Sequence, residues 1–111
     1  MAQPHLQPNT KVSVLPLGPA LADARTTALL KGHQLEIVRI VLQEGKSMKE
    51  HRAPGEITVQ CLEGCIEFRT PTSVRMLAAG DFIHLEAAVP HSLHGIQNSS
   101  ALVTMVVGLP G

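Results

Sequence analysis

From Leu35 onward the chain alternates short apolar runs with turn signals, and the runs have the length and periodicity of β-strands. LEIVRIVL (35–42) carries Ile37, Val38, Ile40, Val41 and Leu42 with only Glu36 and Arg39 interrupting, the pattern of a strand covered on both faces. Glu44-Gly45-Lys46 breaks it. ITVQCL (57–62) alternates strictly, with Ile57, Val59 and Cys61 on one face and Thr58, Gln60 and Leu62 on the other. Turns at Glu63-Gly64, Pro71-Thr72-Ser73 and Ala79-Gly80-Asp81 delimit strands over 65–69, 74–77 and 82–85. A loop over 86–90 leads to strands at 91–96 and 102–107, with a turn at 97–100 between them. Strands of about six residues, recurring every ~8–12 with turns between, predict an all-β sandwich or barrel.

The N-terminal quarter reads differently. Pro4, Pro8, Pro16 and Pro19 argue against helix and central strand alike, so 1–27 is predicted to be irregular. Val12–Leu17 could still add a short edge strand, within the chain or across a dimer. DARTTALL (23–30) suits one helical turn or a strand; the reading favours a strand into Leu30, then a turn at Lys31-Gly32-His33. The barrel domain is placed at 28–111.

Composition narrows the partners. At 111 residues, 44% hydrophobic and 16% charged, the chain fits one folded domain. Lys+Arg and Asp+Glu balance at 9 each, so no net field draws it to nucleic acid or an anionic membrane. Without Trp or Tyr, and with only Phe68 and Phe82, it lacks the rings that base-stacking and sugar-stacking surfaces use. No apolar run reaches the roughly 18 residues a bilayer requires. Lys11 before Val12-Ser13-Val14-Leu15, with Ala20-Leu21-Ala22 after it, mimics parts of an export signal. Pro16, Gly18 and Pro19 break that stretch, so the reading favours the cytoplasm. Cys61 and Cys65 flank the Glu63-Gly64 turn, close enough for a disulfide; reduced thiols are favoured, and their spacing forms no zinc ribbon or redox motif. LEIVRIVL and the closing LVTMVVGL (102–109) offer more apolar surface than one small barrel covers, which predicts an isologous homodimer.

Two stretches remain: Gly45–Gly64, GKSMKEHRAPGEITVQCLEG, and Gly80–His91, GDFIHLEAAVPH. Each opens on a glycine and sets one histidine where an extended segment meets a turn. They resemble the two motifs of the cupin superfamily, RmlC-like jelly-roll barrels whose pocket often holds a divalent metal. That family's first motif runs glycine, five residues, His-x-His, three or four residues, Glu, six residues, glycine. Gly45, His51 and Gly64 match it, while Ala53 stands at the second histidine and Ile57 at the glutamate, with Glu56 one residue early. The second motif runs glycine, five residues, Pro-x-Gly, two residues, His, three residues, Asn. Gly80 and His91 match; Glu86, Ala88 and Gly95 replace the proline, second glycine and asparagine. HRAPGEITVQCLEG is also similar to small single-domain cupins with an H-x-A-P core, most of unassigned function. The resemblance covers roughly residues 28–107 and implies a single cupin-type double-stranded β-helix.

It also implies three histidines and a carboxylate around a metal, of which this chain keeps His51 and His91. Glu56 and Gln60 are the candidates for a third ligand, and alternation puts both opposite Ile57, Val59 and Cys61. A Glu56 turned inward by the shorter Ala53-Pro54-Gly55 loop would complete a two-histidine, one-carboxylate set suited to iron or manganese; nickel and zinc are the other candidates. With Glu56 in solvent, no metal is expected and His51 and His91 are polar walls. His84 either lines the pocket mouth with His51, Gln60 and His91 or is an ordinary half-exposed strand histidine. His94 should face away from His91, and His5 and His33 should be solvated. Two neutral imidazoles without a metal could still act as general acid and base on a carbonyl or enol. Two functions follow: a small-molecule-binding barrel, with or without a divalent metal, or a metal-dependent dioxygenase or isomerase acting on a small organic acid or carbonyl compound.

Overall fold

The computed structural model describes residues 5–108. Nine strands follow one short helix: β1 (Thr27–Lys31), β2 (Leu35–Leu42), β3 (Ser47–His51), β4 (Ile57–Glu63), β5 (Cys65–Thr70), β6 (Ser73–Ala78), β7 (Phe82–Leu85), β8 (His91–Gly95) and β9 (Ser99–Val106). They form a five-stranded sheet, β1-β2-β9-β4-β7, and a four-stranded sheet, β3-β8-β5-β6, all pairs antiparallel. The inward side chains of both sheets make one core. Ile40, Leu42, Ile57, Val59 and Cys61 meet Ile66, Phe68, Leu77 and Leu93 there, which is what the alternation along 57–62 requires.

β2 is covered on both faces, as its unbroken apolar run predicts. Ile40 and Leu42 point into the core, whereas Arg39 and Val41 lie on the opposite face and are nonetheless buried. The N-terminal segment supplies their cover. Arg39 Nη2 donates to the Ser13 carbonyl (3.1 Å), Gln43 Nε2 donates to the Ala24 carbonyl (3.1 Å), and Leu6 N–H donates to the Leu29 carbonyl (2.8 Å). Glu63 holds the segment's middle: its carboxylate accepts the Leu17 N–H (2.9 Å), the Gly18 N–H (3.1 Å) and the Ser100 hydroxyl. Burial alone would raise this carboxyl. The bonds from Ser100, Leu17 and Gly18, with the Arg39 charge nearby, outweigh it and hold the group below its ordinary range.

Four sequence expectations change here. Val12–Leu17 pairs with no strand among the described residues. The prolines do not exclude helix: Gly18–Asp23 forms a 3-10 helix with Pro19 at its first turn, where a missing N–H breaks no bond, and Leu21 is buried beneath it. No strand is predicted over the polar SMKEH, yet it forms β3, the edge strand beside β8. Only Met48 packs toward the core, and Lys49 and Glu50 keep the edge in solvent. β9 also begins at Ser99, three residues before the expected start at Leu102. Ser99 and Ser100 are fully buried, and Ser99 Oγ accepts the Cys65 N–H (3.0 Å) while donating to the Gln97 carbonyl (2.8 Å). Leu109, the end of the predicted apolar run, lies outside the described residues. Both cysteine thiols are free, and burial raises the Cys61 thiol above its ordinary range. No helix among the described residues is long and apolar enough to cross a membrane.

Candidate functional site

Sequence spacing made His51 and His91 a pair, and the fold brings them together. His51 ends β3 and His91 begins β8, and the two are directly opposed across the ladder between those strands. An irregularity between Met48 and His51 sets that register. The ring centroids are 4.3 Å apart with the planes tilted by 58°. His91 is 3% exposed, whereas His51 is open to solvent, so the pair runs from the surface into the barrel. Phe68, fully buried on β5, stacks on His91 with centroids 5.7 Å apart and planes 8° from parallel.

The backbone fixes how each imidazole is used. His51 Nδ1 lies 3.1 Å from the Lys49 carbonyl and His91 Nδ1 lies 3.0 Å from the Val89 carbonyl. A carbonyl only accepts, so each Nδ1 carries the proton and the neutral ring keeps its lone pair on Nε2. This is the tautomer that holds an imidazole ready as an acceptor, base or ligand. Burial lowers the proton affinity of His91. The hydrogen bond to Val89 opposes that and the His51 charge adds to it, and the net result is a histidine held below its ordinary range. His91 is therefore a neutral acceptor at neutral pH.

The positions where the cupin motifs place further ligands are occupied by core residues. Ala53 is 8% exposed, Ile57 is 3% exposed, and both belong to the apolar cluster. The candidate replacements lie elsewhere. Glu56 Oε1 accepts from His84 Nε2 at 2.8 Å, and both side chains are more than half exposed, at 64% and 51%. Gln60 and His84 share the outer face of the larger sheet, because β4 turns Val59 and Cys61 inward and His84 is the ladder partner of Thr58. The structure thus joins His51 with His91 and, separately, Glu56 with His84, and leaves Gln60 with neither. His94 faces away from His91 as alternation requires, with its Nδ1 against the Ser47 hydroxyl. Among the described residues, no three His, Cys, Asp or Glu side chains converge as a metal site. A firm transition-metal site is usually built from at least three protein donors, and this pair of imidazoles does not fit that requirement.

Two features of the site escape sequence reading. Nothing in the sequence singles out Phe68 beyond its strand, and only the β5–β8 pairing puts its ring against His91. Ala88 stands where the second motif has a glycine, and its φ is +63°, the left-handed conformation that favours glycine. Its N–H donates to the Ala53 carbonyl (2.9 Å), tying the two motif loops together beside the histidines. Gly45, Gly64 and Gly80 share positive φ, at +82°, +85° and +91°. The motif backbone is therefore retained where its side chains are not.

No model of a known protein family matches the chain, and no curated protein sequence matches it. Solved structures do match. A conserved protein of unknown function from Streptococcus pyogenes superposes with a TM-score of 0.73 at 22% identity, covering 96% of each chain. A cupin superfamily protein from Desulfitobacterium hafniense gives 0.73 at 18%, covering 88% of this chain and 99% of the other. An RmlC-like cupin from Desulfovibrio desulfuricans gives 0.75 at 22%, covering 87% and 96%. These likenesses define the fold, and with it the class: an all-β protein of the cupin jelly-roll type. At these identities they carry no activity across.

Proposed function

We propose that this chain is a small-molecule-binding cupin of the H-x-A-P type, in which His51 and His91 receive the polar end of the ligand. The observation that carries the reading is the pair itself: two rings 4.3 Å apart, each with Nδ1 engaged by a backbone carbonyl and Nε2 left as an acceptor. Two acceptors that run from the exposed His51 to the buried His91 suit a ligand that presents hydrogen-bond donors. A resident metal is not part of this reading, since Ala53 and Ile57 remove two donors and Glu56 is engaged by His84. The alternative, a metal-dependent dioxygenase or isomerase, requires a third protein ligand that the pair lacks. We also propose an isologous homodimer, supported by Leu35 at 43% and Phe82 at 63% exposure on strands of the larger sheet.

The test is a thermal-shift and calorimetric screen of chelator-treated protein with small hydroxy acids and sugars. Saturable binding to the metal-free protein, lost in His91→Leu and weakened in His51→Ala, is the expected result. Binding that needs one equivalent of iron, manganese, nickel or zinc, and disappears on chelation, would overturn it.

A further inference from the structure

Outside the barrel, the structure contains a buried cation with too few partners. Arg39 lies mid-strand in β2 on the outer face of the larger sheet and is 7% exposed. A guanidinium carries five N–H donors. Here Nη2 donates to the Ser13 carbonyl at 3.1 Å, while the buried Nε has no hydrogen-bond partner among the described residues. Glu63 is the neighbouring acid, but its oxygens are occupied by the Leu17 and Gly18 N–H groups and the Ser100 hydroxyl, and it forms no ion pair with Arg39. Glu63 thus offsets the Arg39 charge only at a distance and leaves the buried Nε–H without an acceptor, which is unfavourable in a dry environment. Protein chemistry tolerates this where an anion completes the site.

The surroundings suit one. Arg39 lines a cavity of about 300 Å³ between the N-terminal segment and the sheet. Arg25 lines the same cavity from an exposed position, and no acidic side chain does. Ser13 and Thr27 add polar atoms, and Val12 and Leu29 form apolar wall. Two guanidiniums suit an oxyanion, and the apolar wall favours a carbon chain over bare phosphate. The volume is at the lower end for ligand sites, which run to about 300–1,000 Å³.

We propose that this cavity is a binding site for a short-chain carboxylate, held by Arg39 at its base and Arg25 at its rim. It is separate from the histidine pair and does not depend on the function proposed for that pair.

Butyrate is the probe, with inorganic phosphate as the comparison, titrated into the ¹⁵N-labelled full chain while the Arg39 Nε–H resonance is followed. A saturable shift of that resonance with Kd in the millimolar range, about 1–10 mM, is expected. Arg39→Met and Arg25→Met, followed by calorimetry, should each weaken butyrate at least tenfold, and His91→Leu should leave it unchanged. Arg25 is exposed, so its variant reports on binding even if the Arg39 variant folds poorly. No saturable response to butyrate up to about 50 mM would overturn the site, as would undiminished binding by Arg25→Met. Saturation by phosphate in place of butyrate would overturn the carboxylate assignment. Loss of butyrate binding in His91→Leu, with retention in both arginine variants, would move the ligand to the barrel and refute the proposal.

Discussion

Replacing His91 with leucine separates a residue kept for its chemistry from one kept for packing. The two side chains are similar in size, and position 91 is 3% exposed. The substitution removes the hydrogen bond to the Val89 carbonyl, worth about 1 kcal/mol. It also removes the stack on Phe68, worth about 0.5–1.5 kcal/mol. Against this, a buried leucine gains about 1.5–3 kcal/mol of apolar transfer. Val89 is only half-buried, so its carbonyl can turn to water. The terms nearly cancel, and His91→Leu should lie within about 1 kcal/mol of wild type at pH 7.5. The pH dependence sharpens this. Folding lowers the proton affinity of His91, mainly by burial, so the unfolded chain takes up a proton first, near its ordinary pKa of 6.5. Wild type therefore loses stability as pH falls below 6.5 toward the folded value, and the variant lacks that loss. Urea unfolding at pH 7.5 and pH 5.0 should show the variant gaining on wild type at the lower pH. A loss of about 3 kcal/mol or more, equal at both pH values, would mark His91 as structural and refute the reasoning.

Four further substitutions test the frame of the site. Gly64→Ala places a Cβ 2.3 Å from the Asn98 carbonyl oxygen and from Ser99 Oγ at a φ of +85°, whereas Gly45→Ala at +82° meets nothing within 4 Å. Chemical denaturation should show a loss of about 3–5 kcal/mol for Gly64→Ala, from strain and overpacking together, and about 1–2 kcal/mol for Gly45→Ala. Ala88→Gly relieves the left-handed strain at +63° but loosens the unfolded chain, so thermal melting should show a change within about 1 kcal/mol, where other substitutions at that loop position would destabilise. Glu63→Gln turns one of the two carboxylate oxygens that accept the Leu17 and Gly18 N–H groups into an NH2 donor and leaves the other as a weaker, uncharged acceptor. It should speed hydrogen exchange of both amides and cost about 1–2 kcal/mol at pH 7. Because the native carboxyl sits below its ordinary 4.5, the stability it contributes is present above that value and is lost as pH falls through the folded pKa, a dependence the variant should lack.

Sequence reading reached the fold through periodicity and the motif glycines, and it failed where neither operates. β3 has one inward apolar residue, Met48, so an exposed edge strand left almost no alternation to detect. Ser99 and Ser100 read as turn residues because their burial depends on hydrogen bonds to Cys65, Gln97 and Glu63, all distant in composition from any strand signal. His51 and His91 could be paired by motif spacing, but their tautomers depend on the Lys49 and Val89 carbonyls, which only the folded backbone positions. Ala53 and Ile57 were legible as missing ligands, and their place in the core explains why: they fill volume where the motif would need donors. Alternation put Glu56 opposite Ile57, where it meets His84, but its position ahead of β4 left an inward turn open until the folded loop was seen. Arg39 interrupted an apolar strand in the sequence, and its burial became visible only when the N-terminal segment was seen to cover it.

The central claim is that His51 and His91 are held with protonated Nδ1 and free Nε2. Long-range ¹H–¹⁵N correlation of the assigned histidines at pH 8, where imidazoles are neutral, measures this directly. The structure predicts the Nδ1–H tautomer for both rings, and Nε2 shifts in both when a barrel ligand binds. An Nε2–H tautomer at His91, or an Nε2 already bound to a metal in the purified protein, would contradict the account.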